Sequence, residues 1–117
     1  MAVKALPPAT NAPGTERVRL ARLAREVALT VPGVVDLDSG PGGLHVTLDG
    51  GCRIEGVRCV ATDTGAYEVS LRLICGLVAL PTLGRAVRSR VAARAARDGL
   101  GVDSVLVHVA GVVEAGR

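Results

Sequence analysis

Three cysteines, two histidines, eleven carboxylates and four serines are the side chains of this 117-residue chain that could do chemistry, and their spacing decides what kind. Cys52, Cys59 and Cys75 are odd in number and form no Cys-x-x-Cys pair, which fits reduced thiols in a cytoplasmic protein better than a disulfide framework. They read as small core or strand residues. His45 and His108 could join Cys52 or Cys59 around zinc, but neither has a second ligand two to four residues away. His45, by alternation with Leu44 and Val46, is expected on a polar, solvent-facing side. Asp36 and Asp38 share one side of a strand with no second carboxylate pair for acid–base work. Ser39, Ser70, Ser89 and Ser104 have no histidine close in sequence, and Cys59 or Cys75 as a nucleophile would lack a visible base. The expectation is therefore a chain with no catalytic residue, no metal, no cofactor and no small-molecule substrate.

Two glycine clusters invite a nucleotide reading and do not sustain it. Gly40-Pro-Gly-Gly43 matches the G-x-x-G of an RNA-binding KH loop, but it lies between strands beside Asp36 and Asp38 and reads as a hairpin turn. It also lacks the Lys-Ser/Thr pair of a phosphate-binding loop. Gly99-Leu-Gly101 has neither the third glycine nor the preceding strand of a dinucleotide fingerprint and reads as a helix stop.

What remains is arginine. The net charge is only +3, yet Arg17, Arg19, Arg22 and Arg25 crowd one predicted helix and Arg85, Arg88, Arg90, Arg94 and Arg97 another, leaving the strands and loops acidic. Arg85, Arg88, Arg94 and Arg97, with Arg58 and Arg72 on the outward side of two strands, are the candidate partner-binding residues. One alternative is a small nucleic-acid-binding module using the arginine-rich helices. Against it stand the small net charge, the lone Lys4 and the absence of Trp and Phe for stacking.

The elements that must position these arginines are legible in the hydrophobic spacing. The proline-rich residues 1–14 are expected to be a flexible tail, and residues 15–113 a single α+β domain. A helix capped by Thr15 carries Val18, Leu20, Ala21, Leu23, Ala24, Val27 and Ala28 on one face and stops at Val31-Pro-Gly33. Val34–Leu37 and Leu44–Leu48 should pair as a hairpin, with Leu44, Val46 and Leu48 inward. A further strand from about Ile54 to Thr62 should turn at Asp63-Thr-Gly65 into the alternating strand Tyr67–Cys75. Pro81 opens a second helix with Leu83, Val87, Val91 and Ala95 buried, Gly99 stops it, and Val102–Val113 closes the sheet. The expected architecture is a two-layer sandwich: a mainly antiparallel sheet of four to five short strands with two helices on one face, in the order α-β-β-β-β-α-β. With 49% apolar residues and Tyr67 the one aromatic, the core must be built from Val, Leu and Ala. No apolar run reaches membrane-spanning length and no signal-peptide h-region opens the chain, so a cytoplasmic protein is expected.

Over residues 18 to 113 the pattern resembles the alkaline shock protein family, small envelope stress response domains found mainly in Gram-positive bacteria. The resemblance rests on Val31-Pro-Gly-Val34, Gly56-Val-Arg-Cys59, Tyr67-Glu-Val-Ser-Leu-Arg-Leu-Ile-Cys-Gly76, Leu83-Gly-Arg-Ala-Val-Arg-Ser-Arg-Val91 and Gly99-Leu-Gly-Val-Asp-Ser-Val-Leu-Val-His-Val-Ala-Gly-Val112. Cys75 stands where the family usually has an aromatic residue and Asp98 where it usually has threonine. The resemblance implies a non-enzymatic, self-associating cytoplasmic scaffold of the envelope stress response. It further implies recruitment to the inner membrane face by a membrane-anchored protein partner, with peripheral membrane association.

Overall fold

The computed structural model describes residues 13–114; of the expected tail, residues 1–12 lie outside them. Helix α1 (Pro13–Thr30) starts at Pro13, so Thr15 sits within its first turn instead of capping it. Then come β1 (Val34–Leu37), a single 3₁₀ turn at Pro41–Gly43, β2 (Val46–Asp49), β3 (Cys52–Glu55), β4 (Val57–Ala61), β5 (Tyr67–Cys75), α2 (Leu80–Arg97) and β6 (Val102–Val112). The fold is α+β, with two helices and a mixed sheet. Among the described residues, no helix is long and apolar enough to cross a membrane.

β5 is the spine of the sheet. On one edge it pairs along its whole length with β6, in parallel, a geometry that needs the long crossover α2 provides. On its other edge two short antiparallel strands lie end to end: β4 opposite Tyr67–Leu71 and β1 opposite Leu73–Cys75. The expected hairpin between β1 and β2 does not form. β2 pairs with β3 instead, as a separate two-stranded sheet. The single strand expected from Ile54 to Thr62 is two strands, because Gly56 takes φ +79 and turns the chain between them. Five strands thus precede α2 where four were expected.

Alternation along β5 is complete. Tyr67, Val69, Leu71, Leu73 and Cys75 are buried while Glu68, Ser70, Arg72 and Ile74 are half-exposed on the opposite face. The buried face is roofed by α1, which lies over β1 and β4, and by α2, which lies over β6 and carries Leu83, Val87, Val91 and Ala95 inward. α1 buries a broader arc, with Leu20, Ala21, Leu23, Ala24, Val27 and Ala28 all enclosed, because the β2–β3 hairpin covers the side that α2 leaves open. Removing this much apolar surface from water is the main term favouring the fold.

The hairpin shows its faces inverted relative to expectation. Thr47 is 1% exposed, whereas Leu44 is 78% and Leu48 57% exposed. The buried Thr47 hydroxyl donates to the Val57 carbonyl at 2.8 Å, so enclosing it leaves no polar group unsatisfied. The same inversion draws His45, expected on the surface, partly inside against the sheet.

Candidate interaction site

On the open face of the sheet, away from both helices, β4 and β5 carry two arginines at diagonal positions that line one cavity. Arg58 is opposite Ser70 in the antiparallel register, and Arg72 is two residues further along β5 on the same face. Together with Ser39, Gly40, Pro41, Leu44 and His45 they line a shallow cavity of about 160 Å³. The loop between β1 and β2 forms its wall. Its Gly40 (φ +77) packs against the Arg72 side chain so closely that a β-carbon would stand 3.1 Å from Arg72 Nε. The loop is closed by Gly43 N–H donating to the Gly40 carbonyl at 2.9 Å and His45 N–H donating to the Ser39 carbonyl at 2.7 Å.

The two arginines are held differently. Arg72 is three-quarters buried and reaches Asp38 with Nη2 at 3.3 Å and Nε at 3.4 Å, a carboxylate that also accepts from Gly40 N–H at 3.1 Å. Arg58 is exposed and has no hydrogen-bond or ion-pair partner among the described residues. His45 closes the floor. Its Nε2 donates to the Ser70 carbonyl at 3.0 Å, and burial, followed by Arg58, Arg72 and His108 nearby, holds its pKa below the ordinary value of 6.5. A neutral imidazole floor, one anchored cation and one unengaged cation make a pocket suited to a carboxylate or another small anionic group.

The remaining candidate arginines lie on the other side of the sheet. Arg85, Arg88 and Arg97 are exposed on α2, with Arg85 3.5 Å from the Thr82 hydroxyl. Arg94 is half-buried, and its Nε, withdrawn from solvent, has only a 3.5 Å ion-pair contact with Asp98. Two of the four arginines of α1, Arg22 and Arg25, are engaged by neighbouring groups instead of adding free charge to this basic face. Arg22 pairs with Asp49, and Arg25 donates to the Glu55 carbonyl at 2.8 Å and lies 3.7 Å from Asp36, so the hairpin neutralises that flank. These contacts frame a cavity of about 270 Å³ between α1 and β3, where Arg22, Arg25 and Arg53 are already engaged by Asp49, Asp36 and Glu55.

Cys59 and Cys75 are buried, Cys59 with its pKa pushed up to about 12 by burial, while Cys52 is exposed on the hairpin. Among the described residues, no group of three His, Cys, Asp or Glu side chains is placed to hold a metal ion. Sequence reasoning found Arg58 and Arg72 from strand alternation. It missed His45 and the Ser39–Leu44 wall, because loop closure onto β5 depends on long-range pairing that no local pattern encodes. Neither protein-family models, nor curated proteins, nor solved structures contain a match to this chain.

Proposed function

We propose that the chain is a non-enzymatic, self-associating scaffold of the envelope stress response, held at the inner face of the cell membrane by a membrane-anchored partner. The Arg58–Arg72 pocket takes an acidic group of that partner. The observation that carries this reading is the unengaged Arg58 guanidinium beside Arg72 on an open sheet face. Two cations at diagonal positions of a sheet repel one another, and Asp38 offsets only the second, so a ligand carboxylate lowers the energy of the pair. The family resemblance supports the scaffold role, and thiols and carboxylates scattered singly along the chain support a binding function in place of a reaction.

The test is retention of a membrane protein from the source organism's membrane fraction by the immobilised chain, compared with Arg58→Glu and with Arg85→Glu/Arg88→Glu. The expected result is loss of retention with Arg58→Glu alone. Retention that survives Arg58→Glu and disappears with the α2 pair would overturn the pocket assignment and favour the basic helix face.

A further inference from the structure

The two edges of the sheet differ in how they are finished. The β1/β4 edge is made of two short strands separated in sequence, and the hairpin lies over it: Thr47 Oγ1 donates to the Val57 carbonyl, and Gly56 N–H donates to the His45 carbonyl at 2.9 Å. That edge offers an incoming strand only two short, interrupted segments, with the hairpin against the start of β4. β6 is the opposite case. It runs for 11 residues, pairs among the described residues with β5 alone, and from Ser104 to Val113 contains no proline and no Asp, Glu, Lys or Arg. The devices that keep edge strands from pairing, such as charges, proline and short length, are absent from this stretch. Its register against β5 is regular from Ser104 to Val109, with irregularities only outside that span. Val105 is buried, Val107 and Val109 are half-buried on the helix side, and Leu106 and His108 are exposed on the open side.

From these observations we infer that β6 pairs antiparallel with β6 of a second copy, about a two-fold axis at Val107 perpendicular to the sheet, giving a closed dimer with one continuous sheet. This inference rests on the self-association in the functional reading above and names its surface and its limit. A perpendicular two-fold keeps each face in register. Val107 meets Val107 and Val105 meets Val109 on the helix side, extending the core, while Leu106 meets His108 on the open side. No like charges are brought opposite one another. An isologous contact uses the same edge on both copies and so closes at two, and the short, interrupted β1/β4 edge does not match β6 for further pairing. The same symmetry opens both Arg58–Arg72 pockets on one side, so a partner array lying on a membrane would be engaged twice.

The experiment is light scattering under reducing conditions on the wild type, on Leu106→Lys/His108→Lys and on Leu106→Glu/His108→Glu, singly and mixed one to one, with circular dichroism as the folding control. Both positions are exposed, so the monomer should tolerate either pair. Expected are twice the chain mass of 11.9 kDa for the wild type, the chain mass for each charged variant alone, and the dimer again in the mixture, where lysines face glutamates. A wild type of single-chain mass at high micromolar concentration would overturn the inference, as would a mass that keeps growing beyond two copies. A dimer that persists in both charged variants would also overturn it, by placing the contact elsewhere. Loss of the dimer with membrane-protein retention unchanged in the charged variants supports β6 pairing independently of the pocket. Loss of retention in Arg58→Glu without loss of the dimer separates the two claims in the other direction.

Discussion

Gly56 is pressed against Leu37: a β-carbon on Gly56 would lie 2.5 Å from Leu37 Cβ and 3.0 Å from the backbone nitrogen of Asp38. This close approach is where β1 and β4 meet end to end beside β5, so one glycine lets two strands share one edge. Its positive φ of 79° also turns the chain out of β3, which is why the hairpin can fold back over the β4 edge.

Gly56→Ala should therefore destabilise the domain on two counts. The left-handed backbone alone costs about 1–3 kcal/mol for a residue with a side chain, and the clash with Leu37 adds to it. Gly65→Ala is the matched control, since Gly65 has φ +86 but nothing within 4 Å of its would-be β-carbon. Thermal melts should show a clearly larger loss for Gly56→Ala than for Gly65→Ala, each kcal/mol corresponding to roughly 4–8 °C in a domain of this size. Equal losses would mean that the Leu37 contact relaxes freely.

How much of this was legible varies along the chain. The β5 alternation and the Leu83, Val87, Val91, Ala95 stripe of α2 were readable because each is a local period matched to one buried face. Strand partnering was not. Val34–Leu37 and Leu44–Leu48 are adjacent in sequence and look like a hairpin, but a period of two says which residues share a face and nothing about which strand lies alongside. The inversion of β2 was hidden for a related reason: apolar Leu44 and Leu48 outbid Thr47 on hydrophobicity, and only the Val57 carbonyl, supplied by a strand ten residues on, makes threonine the better buried residue. Of the site, the two arginines were visible and the loop that walls them in was not.

His45 gives the domain a pH dependence with a definite sign. Its folded pKa lies below 6.5, so between the folded value and 6.5 the unfolded chain binds more protons and stability rises with pH. The contribution is fully present above 6.5 and is lost as the pH falls from there toward the folded value. Glu55 and Asp103 are also held low, by the Arg53 side chain and by the Thr62 and Thr64 hydroxyls respectively, and titrate below this window. The melting temperature of the wild type should thus drop between about pH 7.5 and 5.5, within the range where histidine titrates. His45→Gln, whose side-chain amide can still donate to the Ser70 carbonyl, should show a smaller drop; an identical one would remove His45 as the cause.

The thiols should separate by accessibility. Cys52 is exposed, whereas Cys59 and Cys75 are buried and both have their pKa raised by burial. A maleimide at neutral pH should label one thiol per native chain, at Cys52, and three after denaturation, as read by mass spectrometry. Rapid native labelling of Cys59 would show that the floor beneath α1 opens far more often than its packing implies.

The proposed binding of acidic groups at the open sheet face rests on Arg58 and Arg72. Its most direct test is a ¹H–¹⁵N correlation spectrum of the native protein titrated with a glutamate-rich peptide and, separately, with a short single-stranded RNA. The peptide should shift the signals of His45, Arg58, Ser70 and Arg72, Arg58→Gln should abolish those shifts, and the RNA should give none of comparable size. Peptide shifts confined to Arg85, Arg88 and Arg97, or saturable RNA binding on α2 with the sheet face silent, would contradict it.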